Sequence, residues 1–273
     1  MSNSRYDERI EGAQESIKRA RTVFLILTIV SLSILITAWN AYFSWDREMA
    51  LGLSEWAKND AVTELAQQRL VEGWVKNQTI DVSLLGIHIS VSDIAPLGGL
   101  ALFILSIWFF FSARRENHTI ALLLRDTKNE SDDVRTTIFH SVVSYLVFLT
   151  IRPTDDPIDD LEEKAVTRGH MVALRAVVGI LFFLPAFCIL AAIACDALSI
   201  FVFAAPFREG HQPLAKAVDI SFGQWALWGG IEGFALALAF GTFFLSWRAL
   251  KFESATGRIL KQYCDGIACC ADA

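Results

Sequence analysis

The chain has none of the short motifs that commit side chains to catalysis. It lacks a GxGxxG or GxxxxGK[ST] loop to cradle phosphates, an HExxH pair for zinc and a GxSxG elbow to present a nucleophile. Its five histidines, His88, His118, His140, His170 and His211, are dispersed along the chain and fall in loops on both sides of the topology derived below, so they do not converge on one site. Cysteine is as scattered. Cys188 and Cys195 share one apolar run, and Cys264, Cys269 and Cys270 lie in the C-terminal tail, where the spacing C-x4-C-C lacks the second ligand pair of a zinc site. These are expected to be free thiols, with lipidation of Cys269 and Cys270 as the alternative reading. Nucleotide-binding, zinc-hydrolase and serine-hydrolase signatures are thus absent. The expectation is a protein that is not an enzyme and has no cofactor and no metal.

The N-terminal segment is not expected to act as a cleavable leader. The first 21 residues mix Asp7, Glu8, Glu11 and Glu15 with Arg5, Arg9, Lys18, Arg19 and Arg21, and the apolar stretch after them exceeds the roughly 7–15 residues of a signal-peptide core. The first apolar segment should therefore remain as an anchor.

What is abundant is apolar surface. Hydrophobic residues make up 53% of the 273 positions, above the roughly 45–50% usual for soluble domains. Four runs are long enough to cross a bilayer: Thr22–Trp45, Pro96–Ala113, Met171–Cys195 and Phe222–Leu250. A fifth, Ile138–Ile151, carries His140, Ser141, Ser144 and Tyr145 and is short for a span, which suits a buried or interfacial helix. Lys and Arg gather before the first run, after the second (Arg114, Arg115, Arg125, Lys128) and after the fourth (Arg248, Lys251, Arg258, Lys261). Cytoplasmic loops carry this excess, so four spans with both termini in the cytoplasm satisfy the charges together. The expected fold is an all-α multi-pass membrane protein with four transmembrane helices, N-in and C-in, a small helix-plus-hairpin extracytoplasmic element and cytoplasmic helical extensions. Its divisions are a cytoplasmic N-terminal helix (1–21), spans at 22–45, 96–113, 171–195 and 222–250, outer loops at 46–95 and 196–221, a cytoplasmic helical loop (114–170) and a cytoplasmic tail (251–273). The lipid is expected to be a bacterial cytoplasmic (inner) membrane.

The loops have their own patterns. Leu53, Trp56, Ala57, Ala61, Leu65, Leu70 and Trp74 recur at helical spacing, after which Ile80, Val82 and Leu84 and then Ile87, Ile89 and Val91 alternate as strands do, with a turn or bulge at Leu84–Gly86. Ser92 or Asp93 is placed to cap the second span, with Pro96 in its first turn. On the cytoplasmic side the second span is expected to continue as helix through Lys128, and NESDD to break it and cap a helix over Val134–Ile151. The six acids between Asp155 and Glu163 read as a helix start, with Asp156 as N-cap and Pro157 as first residue; the spacing is not that of a calcium loop. That helix should run on into the third span, with Pro185 inside it. Ile10, Ala13, Ile17 and Ala20 form a stripe that continues the first span as helix below the membrane, either to meet a partner or to end at the headgroups.

Two charges fall within the runs. Arg175, near the cytoplasmic start of the third, is long enough to snorkel. Glu232 is not, and such an acid faces the bundle interior or a polar cavity. It borders a small-residue stripe, Gly229, Gly233, Ala237 and Gly241, of the kind that lets helices approach closely. Two functional readings follow. The leading one is a scaffold, sensor or regulator that forms homo-oligomers in the lipid bilayer and meets a cytoplasmic protein partner through its helices, with no nucleic-acid partner. The alternative is a channel or pore-forming subunit with Glu232 lining the path.

Overall fold

The computed structural model describes residues 4–56, 79–82, 87–90, 93–145, 164–198 and 222–271. Helix α1 spans Ser4–Trp56, strands β1 and β2 are Thr79–Val82 and Ile87–Ser90, and a single π-turn, Ile94–Gly98, leads into α2, Gly99–Asp126. Then come α3, Asp132–Val143, α4, Lys164–Leu198, and α5, Phe222–Ala271. The two strands pair antiparallel, Thr79 opposite Ser90 and Val82 opposite Ile87.

Four of these helices contain stretches long and apolar enough to cross a membrane, within Tyr6–Asn40, Ile94–Asp126, Ala176–Leu198 and Phe222–Tyr263. Only 28–33% of each apolar window is buried by the chain itself. The rest faces outward, including Ile29, Ile36, Ile104, Phe111, Ile180, Phe187 and Phe240. Water would not tolerate so continuous an apolar surface, whereas acyl chains do, and the protein is an integral, multi-pass membrane protein.

What turns inward follows a stricter rule than the sequence reading used. The buried positions include a regular series, Ala13, Ile17, Ala20, Phe24, Leu27 and Ser31 on α1, and Leu102, Ser106, Phe109, Ala113, Glu116, Ile120, Leu123 and Thr127 on α2, with Ser16, Val23, Ser112 and Leu124 beside it. On α5 the series is Glu232, Ala235, Ala239, Thr242, Ser246 and Ala249, with Leu238 beside it, resuming at Thr256, Leu260 and Tyr263. Steps of three and four alternate, the seven-residue repeat of helices that pack along their length. Small residues dominate on α5, which lets neighbouring backbones come close.

Packing divides the chain into two compact units. The first takes the described parts of Met1–Thr28, Ile104–Pro185 and Thr242–Ala273. Its core joins Ala13 and Ile17 of α1, Ile120, Leu123 and Leu124 of α2, Ile138, Phe139 and Val142 of α3, and Leu260 and Tyr263 of α5. Phe24, Phe109 and Phe182 stack as an aromatic trio, with centroids 5.2–5.5 Å apart. Polar ties close the same unit: Thr127 Oγ1 and Tyr263 OH lie 2.9 Å apart, Tyr6 OH donates to Glu130 Oε1 at 2.6 Å, and Arg9 pairs with Asp126. Arg135 holds Asp132 Oδ1 at 3.1 Å, donates to the Gly266 carbonyl at 3.4 Å and lies over the Tyr263 ring.

The second unit takes the described parts of Ile29–Phe103 and Ala186–Gly241. Ala95, Ala192 and Ala235 form its tightest contact. Cys188 Sγ donates to the Ser31 carbonyl at 3.2 Å. Gly241 is needed for approach, since a Cβ there would stand 2.7 Å from Phe103 Cε2, whereas one on Gly99 would make ordinary contact with Ile189 at 3.4 Å.

The expected stripe on α5 is therefore met at only one of its four positions within the chain. Gly241 is at a contact, but Gly229, Gly233 and Ala237 are exposed, and open space surrounds the place of a Cβ on Gly229 and Gly233. The inward stripe is Glu232, Ala235, Ala239 and Thr242 instead, because the packing repeat and not the glycine spacing sets the face. Gly241→Leu should accordingly destabilise the protein by about 1–3 kcal/mol through overpacking against Phe103. Gly233→Leu should leave the monomer's melting temperature unchanged in detergent, and equal losses in the two variants would contradict this assignment of faces.

Other sequence readings are adjusted in detail. The first helix does not stop at Trp45 but continues through Trp56, so Leu53 and Trp56 extend α1. The break expected at NESDD lies between α2 and α3, with Ser131 extended at the N-cap. α3 ends at Val143 and not at Ile151. Asp93 precedes the π-turn without a side-chain capping bond. Pro185 lies inside α4. The Ala57–Trp74 part of the outer helix, the turn at Leu84–Gly86, the Leu146–Ile151 end of the fifth run, the acidic Asp155–Glu163 stretch and the 199–221 part of the second outer loop lie outside the described residues, as do the side chains of Arg175, Cys264, Cys269 and Cys270.

Candidate functional site: two buried carboxyl pairs

An acid on a packing face needs a partner, because an uncompensated buried charge costs several kcal/mol. In the second unit the inward repeat of α5 places Glu232 only 8% exposed. Neither of its carboxyl oxygens is reached by an N–H or O–H donor. The group facing it is another carboxyl, Asp196 of α4, which is also buried. Asp196 has a donor of its own: Trp228 Nε1 gives its hydrogen to Asp196 Oδ2 at 2.6 Å. Trp228 precedes Glu232 by one helical turn on α5, so that turn presents an indole N–H and a carboxyl to the same residue. Asp93, just before the π-turn, adds a third acid close enough to act on Asp196.

The first unit has a second pair. Glu116 of α2 is 3% exposed and lies next to Glu253 of α5. One oxygen of each, Oε1, has no hydrogen-bond partner. The helices are clamped beside them, since Asn117 Nδ2 donates to Thr256 Oγ1 at 2.9 Å and to the Phe252 carbonyl at 3.3 Å. Three buried hydroxyls on the same two helices, Ser106, Thr242 and Ser246, are likewise unpartnered. Both acids come after the outward face has changed character. On α2 the last exposed large apolar residue is Phe111, and Arg114 and Arg115 follow; on α5 it is Trp247, and Arg248 and Lys251 follow. Lys251 and Arg248 fold back over the Trp247 and Phe244 rings, as cations do at the edge of an apolar belt. Burial, and then the Glu253 charge, push the Glu116 carboxyl up to about 9; burial pushes Glu253 up to about 8. At neutral pH the pair is therefore neutral and can supply the donors its oxygens otherwise lack.

Of the residues singled out from sequence, the structure brings Glu232 into a cluster and leaves Gly229, Gly233 and Ala237 facing outward. Asp196, Glu116 and Glu253 were missed. Asp196 follows the last residue of the expected third span, and Glu116 and Glu253 follow the second and fourth, so a scan for charges inside apolar runs passes over all three. The seven-residue repeat was the signal that could have found Glu116 and Glu253. Counting inward from Phe109 and Ala113 lands on Glu116, and counting from Ser246 and Ala249 lands on Glu253. Among the described residues no three His, Cys, Asp or Glu side chains gather as a metal site. The chain matches no family model, no curated protein and no solved structure.

Proposed function

We propose that the protein is a non-enzymatic membrane scaffold, sensor or regulator that works through the helices it extends past its apolar spans, on the side the charge distribution assigns to the cytoplasm. The observation that supports this reading most is the core of the first unit. Ala13, Ile17, Ile120, Leu123, Phe139, Leu260 and Tyr263 come from four helices and bury one another where the outward residues are no longer apolar. A chain that needed only to span would not require an ordered layer there. Helices held this way present a fixed polar surface to a protein partner, and a homo-oligomer in the bilayer would multiply it.

The channel reading keeps one favouring observation, the buried Glu232 carboxyl, and flux separates the two. Reconstituted in liposomes, the full chain is expected to pass ions no faster than empty vesicles between about pH 5 and 9. Selective cation flux that Glu232→Gln abolishes would replace the scaffold reading with the channel one.

A further inference from the structure

We infer that Glu232 and Asp196 form a proton-binding site within the apolar part of the protein, in which one hydrogen is held between the two carboxyls and oriented by the Trp228 indole. Nothing in this assignment depends on the scaffold reading. It rests on which groups meet. Both Glu232 oxygens are sealed from solvent without a donor, and the carboxyl they face has one oxygen committed to Trp228 Nε1. Two carboxylates cannot share such a place as anions, because like charges at contact in apolar surroundings repel strongly. A single hydrogen resolves both defects. It removes one charge, and it supplies the one O–H donor that the pair needs.

A metal cation is the competing occupant, and the donor set does not suit it. Hard cations take about six or more oxygens, whereas Asp196 already spends one on the indole. One turn away along the same two helices, Ala192 on α4 and Ala235 on α5 pack with Ala95 and carry no oxygen ligand. The titratable groups that bear on the pair are Asp93, ahead of α2, and Cys195, beside Asp196 on α4; α1 contributes none among its described side chains of this unit. Every such group is acidic or neutral. Among the described residues no cation is at hand to hold the pair as a dianion.

The expected chemistry is testable with dicyclohexylcarbodiimide, an apolar reagent that reacts with protonated carboxyls. The acid hydrogen moves to one carbodiimide nitrogen while the carboxyl oxygen bonds to the central carbon. The adduct then rearranges to a stable N-acylurea, with no leaving group. Applied to the full-length protein in liposomes, the reagent should modify Glu232 or Asp196, located by peptide mass spectrometry. One hydrogen per pair means that a chain labelled at one of the two is not labelled at the other. Labelling should fall as the pH is raised, and it should not respond to Na+ or K+ at fixed pH. Glu232→Gln should abolish labelling at Asp196, since the amide N–H takes over as donor and leaves Asp196 ionised. Infrared spectra of the parent provide a reading that needs no variant reagent chemistry: a carboxylic acid C=O band should be present, and one such band should vanish in Glu232→Gln. The proposal is overturned if neither residue is labelled and the infrared difference is absent, or if Na+ or K+ protects the pair, which would assign the place to a metal cation.

Discussion

Raising the pH from about 5 to about 9 is expected to lower the melting temperature of the detergent-solubilised protein progressively, and Glu116→Gln is expected to remove much of that decline. In the unfolded chain both carboxyls of the Glu116–Glu253 pair ionise near the ordinary value of 4.5; folded, they hold their protons to about 9 and about 8. Below the ordinary value both states bind both protons, and the packing of α2 against α5 is fully available. Above it the unfolded state sheds protons that the folded state keeps, so each step up in pH favours unfolding. The loss ends once pH has passed the folded values and both states are ionised. Glu116→Gln keeps the shape and takes away one titrating group together with the repulsion it exerts. The variant should therefore be more stable than the parent near pH 8 and similar to it near pH 5. Thermal scans of both proteins across the range measure the effect. Parallel curves for parent and variant would show that the pair is hydrated and ionised in the folded protein, contrary to its burial.

The same pair shows how much of the protein could be read before any coordinates. Four apolar runs were enough for the four spanning helices, because transfer into lipid depends on composition over about 20 residues and little else. Which residues face one another depends on phase, and phase is a matter of single positions. Glycine spacing favoured Gly229, Gly233 and Ala237 as the contact on α5; the packing repeat runs through Glu232, Ala235 and Ala239, one residue earlier or two later. On a helix one residue is about 100°, so that shift exchanges the inward face for the outward one. Glu232 was legible as an anomaly because lipid forbids an ion. Its partner was not, because Asp196 stood at the end of an apolar run, where acids are ordinary. Recognising the pair required knowing that α4 and α5 align Asp196 with Glu232, and no local feature of either segment encodes that alignment.

The core of the first unit carries the largest expected effect of a single truncation. Phe139→Ala should destabilise that unit by about 3–5 kcal/mol, the usual cost when a fully buried aromatic ring is removed and its neighbours close only partly over the cavity. Phe139 is 2% exposed and packs among residues of α1, α2 and α5. α3 has only twelve residues, too few to persist as an isolated helix, so its order depends on that contact. Loss of the ring should free α3 first. Amide exchange is expected to rise sharply across Asp132–Val143, while Leu102–Phe109 of α2, on apolar helix in lipid, stays protected. Thr137→Ala, an exposed position on the same helix whose hydroxyl bonds only the Asp133 carbonyl, serves as the comparison and should change little. Uniformly increased exchange along α2 and α3 would mean that the two melt together and that α3 is not a separable layer. If α3 alone opens, the variant becomes a direct probe of the proposed role. It would insert in the membrane as the parent does, and on the scaffold proposal a partner that reads the ordered helical surface would no longer bind it. A partner retained by Phe139→Ala but lost on charge reversal at α1 would instead place the docking face on the N-terminal helix.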